Sequence, residues 1–290
     1  MKSDFKSKIF NFIVYFTLGL TVLICILPFL HIMAISLSDN SAVMSQKVSL
    51  FPIGFNIKAY IEVFSDQTMM DSLGFTALMT LLVAVIGLLI TIALAYPLSR
   101  KSLKGRKIFM YLILFTFYFN AGIIPNYINI QELGLFNSIW VLILPVVLSP
   151  FNMILMKNYI QTAIPESLEE SAKLDGCSEV GFLIRIVLPL SKPILATIAL
   201  FFAVGRWNGF QDALYYIQSK PLYPLQLKLF YLVSAAQSTE SFSAEGMATA
   251  FTPEVVRAAS IMFATIPILI VYPFLQKYFV KGALLGSIKE

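Results

Sequence analysis

Charged residues are missing from long stretches of this 290-residue chain. Residues 72–99, 108–131, 133–156 and 258–276 contain no Asp, Glu, Lys or Arg, and between 9 and 38 the only ionisable side chain is His31. A helix rises about 1.5 Å per residue, so roughly 20 apolar residues cross a hydrocarbon core about 30 Å thick. Each of these five runs is long enough. A sixth, 193–210, is interrupted by Arg206 yet lies between polar segments and is too apolar to leave in water. The pattern predicts an all-α, polytopic membrane protein with six transmembrane helices at about 9–36, 72–98, 108–127, 136–156, 193–210 and 258–276. These make a single transmembrane domain over 1–290, with a cytoplasmic loop at 157–192.

Composition agrees: 58% of residues are hydrophobic, 13% are charged and the mean hydropathy is +0.80, against about 25% charged in ordinary soluble domains. A soluble enzyme, a disordered tail and a disulfide scaffold are set aside. Lys2, Lys6 and Lys8 precede the first run as in a signal peptide. That run is longer than the 7–15 residues of a cleaved apolar segment, so a retained helix is expected. Cys25 in the first span and Cys177 in a polar loop are not expected to pair.

Net charge is +5, and its placement explains it. With six spans the termini share a side, and that side holds fifteen Lys and Arg residues, including Arg100, Lys101, Lys104, Arg106 and Lys107. The opposite side holds six: Lys47, Lys58, Arg206, Lys220, Lys228 and Arg257. The positive-inside rule then puts both termini in the cytoplasm. The charge calls for no nucleic acid, and anionic membrane lipid is a compatible contact.

Two outer segments, 37–71 and about 211–257, carry turn residues and aromatics such as Pro52-Ile53-Gly54-Phe55 and Tyr215-Tyr216. Docking an external partner and merely connecting helices are equally compatible with them. The inner segment 157–192 reads as two short helices. Pro165 suits a first helical position, Glu166, Glu169 and Glu170 favour the positive end of the helix dipole, and Gly176 after Asp175 is a C-terminal stop. Ile164, Leu168 and Ala172 recur every four residues, giving one apolar stripe opposite an acidic face. An interfacial helix on lipid would favour Lys and Arg on its polar face, so the acidic face points instead to a groove on another protein.

The run Pro165-Glu166-Ser167-Leu168-Glu169-Glu170-Ser171-Ala172-Lys173-Leu174-Asp175-Gly176 resembles the EAA loop of binding-protein-dependent ABC importer permeases. The triplet falls on Glu170-Ser171-Ala172, with Ser171 in place of the usual first Ala and Cys177 where a small Ala is typical. Asn158-Tyr159, Trp207-Asn208, Tyr223-Pro224-Leu225-Gln226-Leu227 and the tail from Gln276 to Lys289 extend the likeness to carbohydrate permeases of the maltose-permease type, in the group of LplC and YtcP. The resemblance implies a type I ABC importer permease fold in the bacterial cytoplasmic membrane. It also implies a second permease subunit, two ATP-binding cassette subunits and an extracytoplasmic sugar-binding protein. ATPase coupling would run through Pro165, Glu166, Glu169, Glu170, Ser171, Ala172, Asp175 and Gly176.

No G-x-x-x-x-G-K-[ST] occurs, so the chain lacks a phosphate-cradling loop and is not itself the ATPase. No cofactor is expected on this chain; ATP and Mg belong to the partner subunits, and no metal site or catalytic residue is expected. A secondary carrier or channel is the alternative; an ion-coupled carrier usually places Asp, Glu or His inside its spans, because ionisable groups there are costly and tend to be functional, and few ionisable groups lie within these spans. Only His31 and Arg206 qualify. His31 can hydrogen-bond a neighbour or reach interfacial water; Arg206 can line the pathway, pair across a subunit interface or snorkel outward. A membrane sensor or scaffold would explain the loop but no pathway. A sugar pathway combines aromatic rings with amides and hydroxyls, which singles out Tyr118, Asn120, Trp207 and Asn208 at the ends of spans three and five.

Overall fold

Hydrocarbon offers backbone amides no partner, so a chain this apolar must close its hydrogen bonds within each segment. The computed structural model describes residues 5–237 and 252–285, and among these it is helical with no strand. In chain order the helices are α1 (Phe5–Ser36), α2 (Asn40–Met44), α3 (Lys58–Ser65), α4 (Gln67–Ser99), α5 (Arg106–Tyr118), α6 (Ile123–Glu132), α7 (Leu144–Val147), α8 (Pro150–Ala163), α9 (Glu166–Leu174), α10 (Glu179–Phe182), α11 (Leu188–Leu190), α12 (Lys192–Asn208), α13 (Gln211–Tyr216), α14 (Leu225–Gln237) and α15 (Pro253–Leu285). Tight turns at Ile139–Leu142 and Lys220–Leu222 and a wide turn at Leu183–Val187 complete the chain. Contacts fall into two units: residues up to 70 with the described part of 229–267, and 71–228 with the described part of 268–290. Lys2 and the tail residues Gly286, Ser287, Ile288 and Lys289 lie outside the described residues.

Three stretches are long and apolar enough to cross a membrane unbroken: Ser7–Ser36, Gln67–Ser99 and Pro253–Val271. The third and fourth predicted spans are instead bent pairs, by 115° between α5 and α6 and 41° between Ile139–Val147 and α8, and α12, which matches the fifth predicted span, is preceded at an 80° bend by Glu179–Leu190 from the predicted cytoplasmic loop. Counting each pair as one span gives six. Local chemistry explains the breaks. Between α5 and α6, Asn120 Oδ1 accepts from the Gly122 amide at 2.9 Å and Gly122 sits at φ +89°, a backbone that glycine adopts without steric cost. At Ser149 the chain restarts with Pro150 in the first turn, and the Ser149 hydroxyl accepts from the Asn152 amide at 3.3 Å. Pro193 in the first turn of α12 has no amide to continue the preceding helix. α8 also continues to Ala163, so its last turns occupy what the sequence assigned to the cytoplasmic loop.

The larger unit packs Met79 and Val83 of α4, Met153, Met156 and Ile160 of α8, and Ile198 and Phe202 of α12 into one core that continues to Ile164, Ala172 and Phe182. The helices approach closely at Gly87, where an added Cβ would lie 2.8 Å from the Phe202 ring. Ala at this position gains about 1 kcal/mol of helix propensity but overpacks a filled core at about 1–3 kcal/mol. Gly87→Ala is therefore expected to lower the thermal unfolding midpoint of the purified protein in detergent. In the same unit Asn137, at φ +55°, holds the turn after α13: its Oδ1 accepts from the Gln218 and Ser219 amides at 3.0 and 2.9 Å.

Candidate coupling surface and pathway cavity

The candidate coupling helix α9 is closed at both ends by local chemistry. Pro165 is the residue before the first turn (φ −60°, ψ 147°) and not the first helical residue as predicted; helix ends shift by a residue this easily. Glu166 and Glu169 stand in the first turn and Lys173 in the last, each complementing the helix dipole. At the far end Gly176 has φ +76°, its amide donates to the Lys173 carbonyl at 3.0 Å, and the Cys177 amide donates to the Ala172 carbonyl at 2.9 Å. This pair of bonds is the Schellman stop. Ile164 and Ala172 are buried while Leu168 is exposed, so the predicted apolar stripe is covered only in part. Leu174, 89% exposed, points outward.

The acidic face divides into paired and unpaired carboxylates. Glu169 pairs with Arg100 at 2.5 Å, and the two side chains are only 12% and 11% exposed. The Arg100 guanidinium carbon stands 4.7 Å from the centre of the Tyr96 ring and 5.2 Å from that of Phe182, within cation–π range. Lys173 bridges Glu169 and Glu179, each at 2.8 Å, and Tyr96 donates its hydroxyl to Glu179 at 3.1 Å. Hydrogen bonds first to Glu169 and then to Glu179 raise the Lys173 ammonium above its ordinary value. Glu166 meets Lys101 at 3.1 Å on the exposed surface. Glu170 makes no ion pair among the described residues and, with Gln161 and Ile164, lines a groove of about 510 Å³ between this helix and the end of α4.

Of the coupling residues singled out in the sequence, the structure therefore joins Glu169 to Arg100 and Glu166 to Lys101, and sets Gly176 at the stop. Among the described residues the Ser171 hydroxyl bonds only within its own helix, donating to the Ser167 carbonyl at 2.9 Å. Arg100 and Glu179 were legible only as charges. Arg100 meets Glu169 across 69 residues and Tyr96 meets Glu179 across 83, distances no local pattern spans.

A second cavity, of about 640 Å³, lies in the same unit where α8 begins and α12 ends. Ser149, Asn152, Asn208, Gln211 and the rings of Phe151, Phe201 and Phe210 line it, together with Arg206 and Asp212. Asn208 thus faces a cavity, whereas Tyr118, Asn120 and Trp207 are not among its lining residues. Tyr118 is exposed at the end of α5, and Asn120 is spent on the turn to Gly122. Arg206 neither snorkels nor waits for a partner subunit. Its side chain is 2% exposed, it forks onto both carboxylate oxygens of Asp212, and it donates to the carbonyls of Leu142 at 3.1 Å and Gly209 at 2.8 Å. In the other unit, His31 sits 2.7 Å from the Ser49 carbonyl through Nδ1. A carbonyl only accepts, so Nδ1 carries the proton and His31 has the neighbour bond that the sequence allowed for.

Comparison with known proteins follows the same lines. Residues 87–284 match the family described as binding-protein-dependent transport system inner membrane component. The chain is 43% identical over 290 residues to Protein LplC of Bacillus subtilis (strain 168), covering 100% of this chain and 98% of LplC. It is 41% identical over 285 residues to the polygalacturonan/rhamnogalacturonan transport system permease protein YtcP of the same organism, covering 98% of this chain and 99% of YtcP. Its fold superposes with a TM-score of 0.87 and 34% identity on a chain from the crystal structure of a bacterial ABC transporter involved in the import of the acidic polysaccharide alginate, covering 95% of this chain and 98% of that one.

Proposed function

Since this chain belongs to the family of binding-protein-dependent transport system inner membrane components, we propose that it is one of two different permease subunits of an ATP-driven oligosaccharide importer. Two ATP-binding cassette subunits and an extracytoplasmic sugar-binding protein complete the complex, and both termini of this chain are cytoplasmic. The observation that carries this reading is α9: a short helix stopped at both ends, fastened by Glu169 to the end of α4, with Glu170 and Leu174 left outward. A rigid, mostly acidic knob of this kind suits a groove on a partner that moves it. ATP closes the ATPase pair, α9 moves with it and the pathway opens outward; hydrolysis resets it. The coupling requires α9 to contact the ATPase differently in the two states, because only a difference in free energy shifts a conformation.

Sugar passes along the cavity of Asn152, Asn208 and the phenylalanine rings, which offers amides for hydroxyls and flat apolar faces for pyranose rings. Replacing Asn152 by Leu keeps the volume and deletes the amide. One lost hydrogen bond of about 1–1.5 kcal/mol is roughly tenfold in affinity, so Asn152→Leu should raise the half-saturating sugar concentration for uptake into proteoliposomes by about that factor. An unchanged value removes Asn152 from the pathway.

The test of the whole reading is a mild-detergent pull-down of the tagged chain from its native membranes, with mass-spectrometric identification of what comes with it. A P-loop ATPase and a second permease are expected. A folded chain recovered alone defeats the importer reading and favours a stand-alone carrier.

A further inference from the structure

Arg100 is an odd residue to find nearly buried at the end of a membrane helix. Of its side-chain nitrogens only Nη1 has a hydrogen-bond partner, Glu169; Nε and Nη2 are buried and have no partner among the described residues. Buried donors without partners are uncommon, and a buried ion pair is often no more stable than apolar groups of the same size. Stability alone therefore does not account for the arrangement.

Geometry supplies another account. The planar guanidinium lies near Tyr96 on α4 and Phe182 on α10, while its Nη1 alone pairs with Glu169 on α9. One side chain thus touches all three elements. Other ties between them are weaker or differently placed. The Lys101–Glu166 pair is exposed on both sides and so contributes little, and the Gln161 bond to the Ser99 carbonyl joins α4 to α8 instead. Lys173 and Glu179 extend the same network from α9 to α10, and Tyr96 returns it to α4.

We propose that Arg100 is the positioning residue that makes α9, α10 and the C-terminal end of α4 one moving part, so that a push on α9 is delivered to a membrane-spanning helix. The inference rests on the importer reading and adds to it the intramolecular half of the coupling. Arg is required for the role because Lys, a compact charge on a flexible stem, keeps the ion pair but cannot present a plane to two rings. Without Arg100, α9 stays attached through the buried Ile164 and Ala172, but its displacement is absorbed at the joint.

The experiment uses the complete importer in proteoliposomes and reads sugar molecules taken up per ATP hydrolysed, with co-purification of the ATPase and of the second permease measured on the same preparations. Arg100→Gln should lower the ratio at least tenfold while both partners still co-purify, and Arg100→Lys should fall between it and the parent. Glu169→Gln, which keeps the rings and the cation, should lower it less than Arg100→Gln. A parental ratio in Arg100→Gln overturns the proposal. So does selective loss of the ATPase with the second permease retained, because Arg100 would then act in docking. If Arg100→Gln loses both partners through misfolding, Arg100→Lys and Glu169→Gln decide, and parental ratios in both overturn it. A parent chain that purifies without any ATPase instead defeats the importer reading itself, and the lock would then have nothing to transmit.

Discussion

Asp212→Asn should cost about 3–5 kcal/mol of stability, because it leaves the Arg206 guanidinium buried without its counter-charge. The Arg206 side chain is 2% exposed, so solvent cannot replace the lost carboxylate, and the carbonyls of Leu142 and Gly209 supply only partial charges. The thermal unfolding midpoint in detergent measures the effect. Replacing both partners, Arg206→Met with Asp212→Leu, removes the buried charge as well as the pair and should recover much of the loss. Equal midpoints for parent and Asp212→Asn would show that the two carbonyls suffice. The same pair fixes the electrostatics of the proposed pathway. With Asp212 in place Arg206 adds no net charge to the cavity wall, which leaves amides and rings to meet the sugar. Should Asp212→Asn survive in the membrane, it presents an uncompensated cation, and uptake should shift toward sugars bearing carboxylates.

How far such features were legible in the sequence depends on the distance over which their physics acts. The run 72–99 needs only its own composition, and α4 follows it closely, beginning at Gln67. The stop at Gly176 is equally local: a residue free to take positive φ, placed after the last periodic position, ends a helix wherever it occurs. Composition over 108–131, by contrast, registers that the segment is apolar but not that it turns by 115°, because the turn depends on three residues, Asn120 to Gly122, with no charge to mark it. Arg206 was visible as an exception in an apolar run; its partner, six residues on and past the helix end, was read as part of an outer loop. Arg100 was counted for topology, and nothing in Pro97-Leu98-Ser99-Arg100 announces a ring from α10 or a carboxylate from α9. Tyr118 and Asn120 show how little a helix-end aromatic and amide decide by themselves, since they fit a turn as well as they fit a sugar.

Gly176→Val should reduce sugar uptake per ATP hydrolysed at least tenfold in the reconstituted importer. Glycine at φ +76° pays no steric penalty, whereas a β-branched residue there is strained by about 1–3 kcal/mol. An added Cβ would meet nothing within 4 Å, so the backbone opposes the substitution and crowding does not. Relief of the strain comes from leaving positive φ, and that breaks the bonds from the Gly176 and Cys177 amides to the carbonyls of Lys173 and Ala172. The consequences run onward through the chain. Ser178, whose hydroxyl accepts from the Gly181 amide at 3.1 Å to start α10, loses its placement, and Glu179 is drawn from Lys173 and Tyr96. α9 keeps its buried Ile164 and Ala172, but the segment that joins it to α10 no longer holds one direction. Asn tolerates left-handed backbone better than any other residue except glycine, so Gly176→Asn should restore most of the ratio. That rescue separates backbone conformation from loss of a docking contact, since both variants add a side chain at the same exposed place. Parental uptake in Gly176→Val would mean that the direction of the chain after α9 does not matter to coupling.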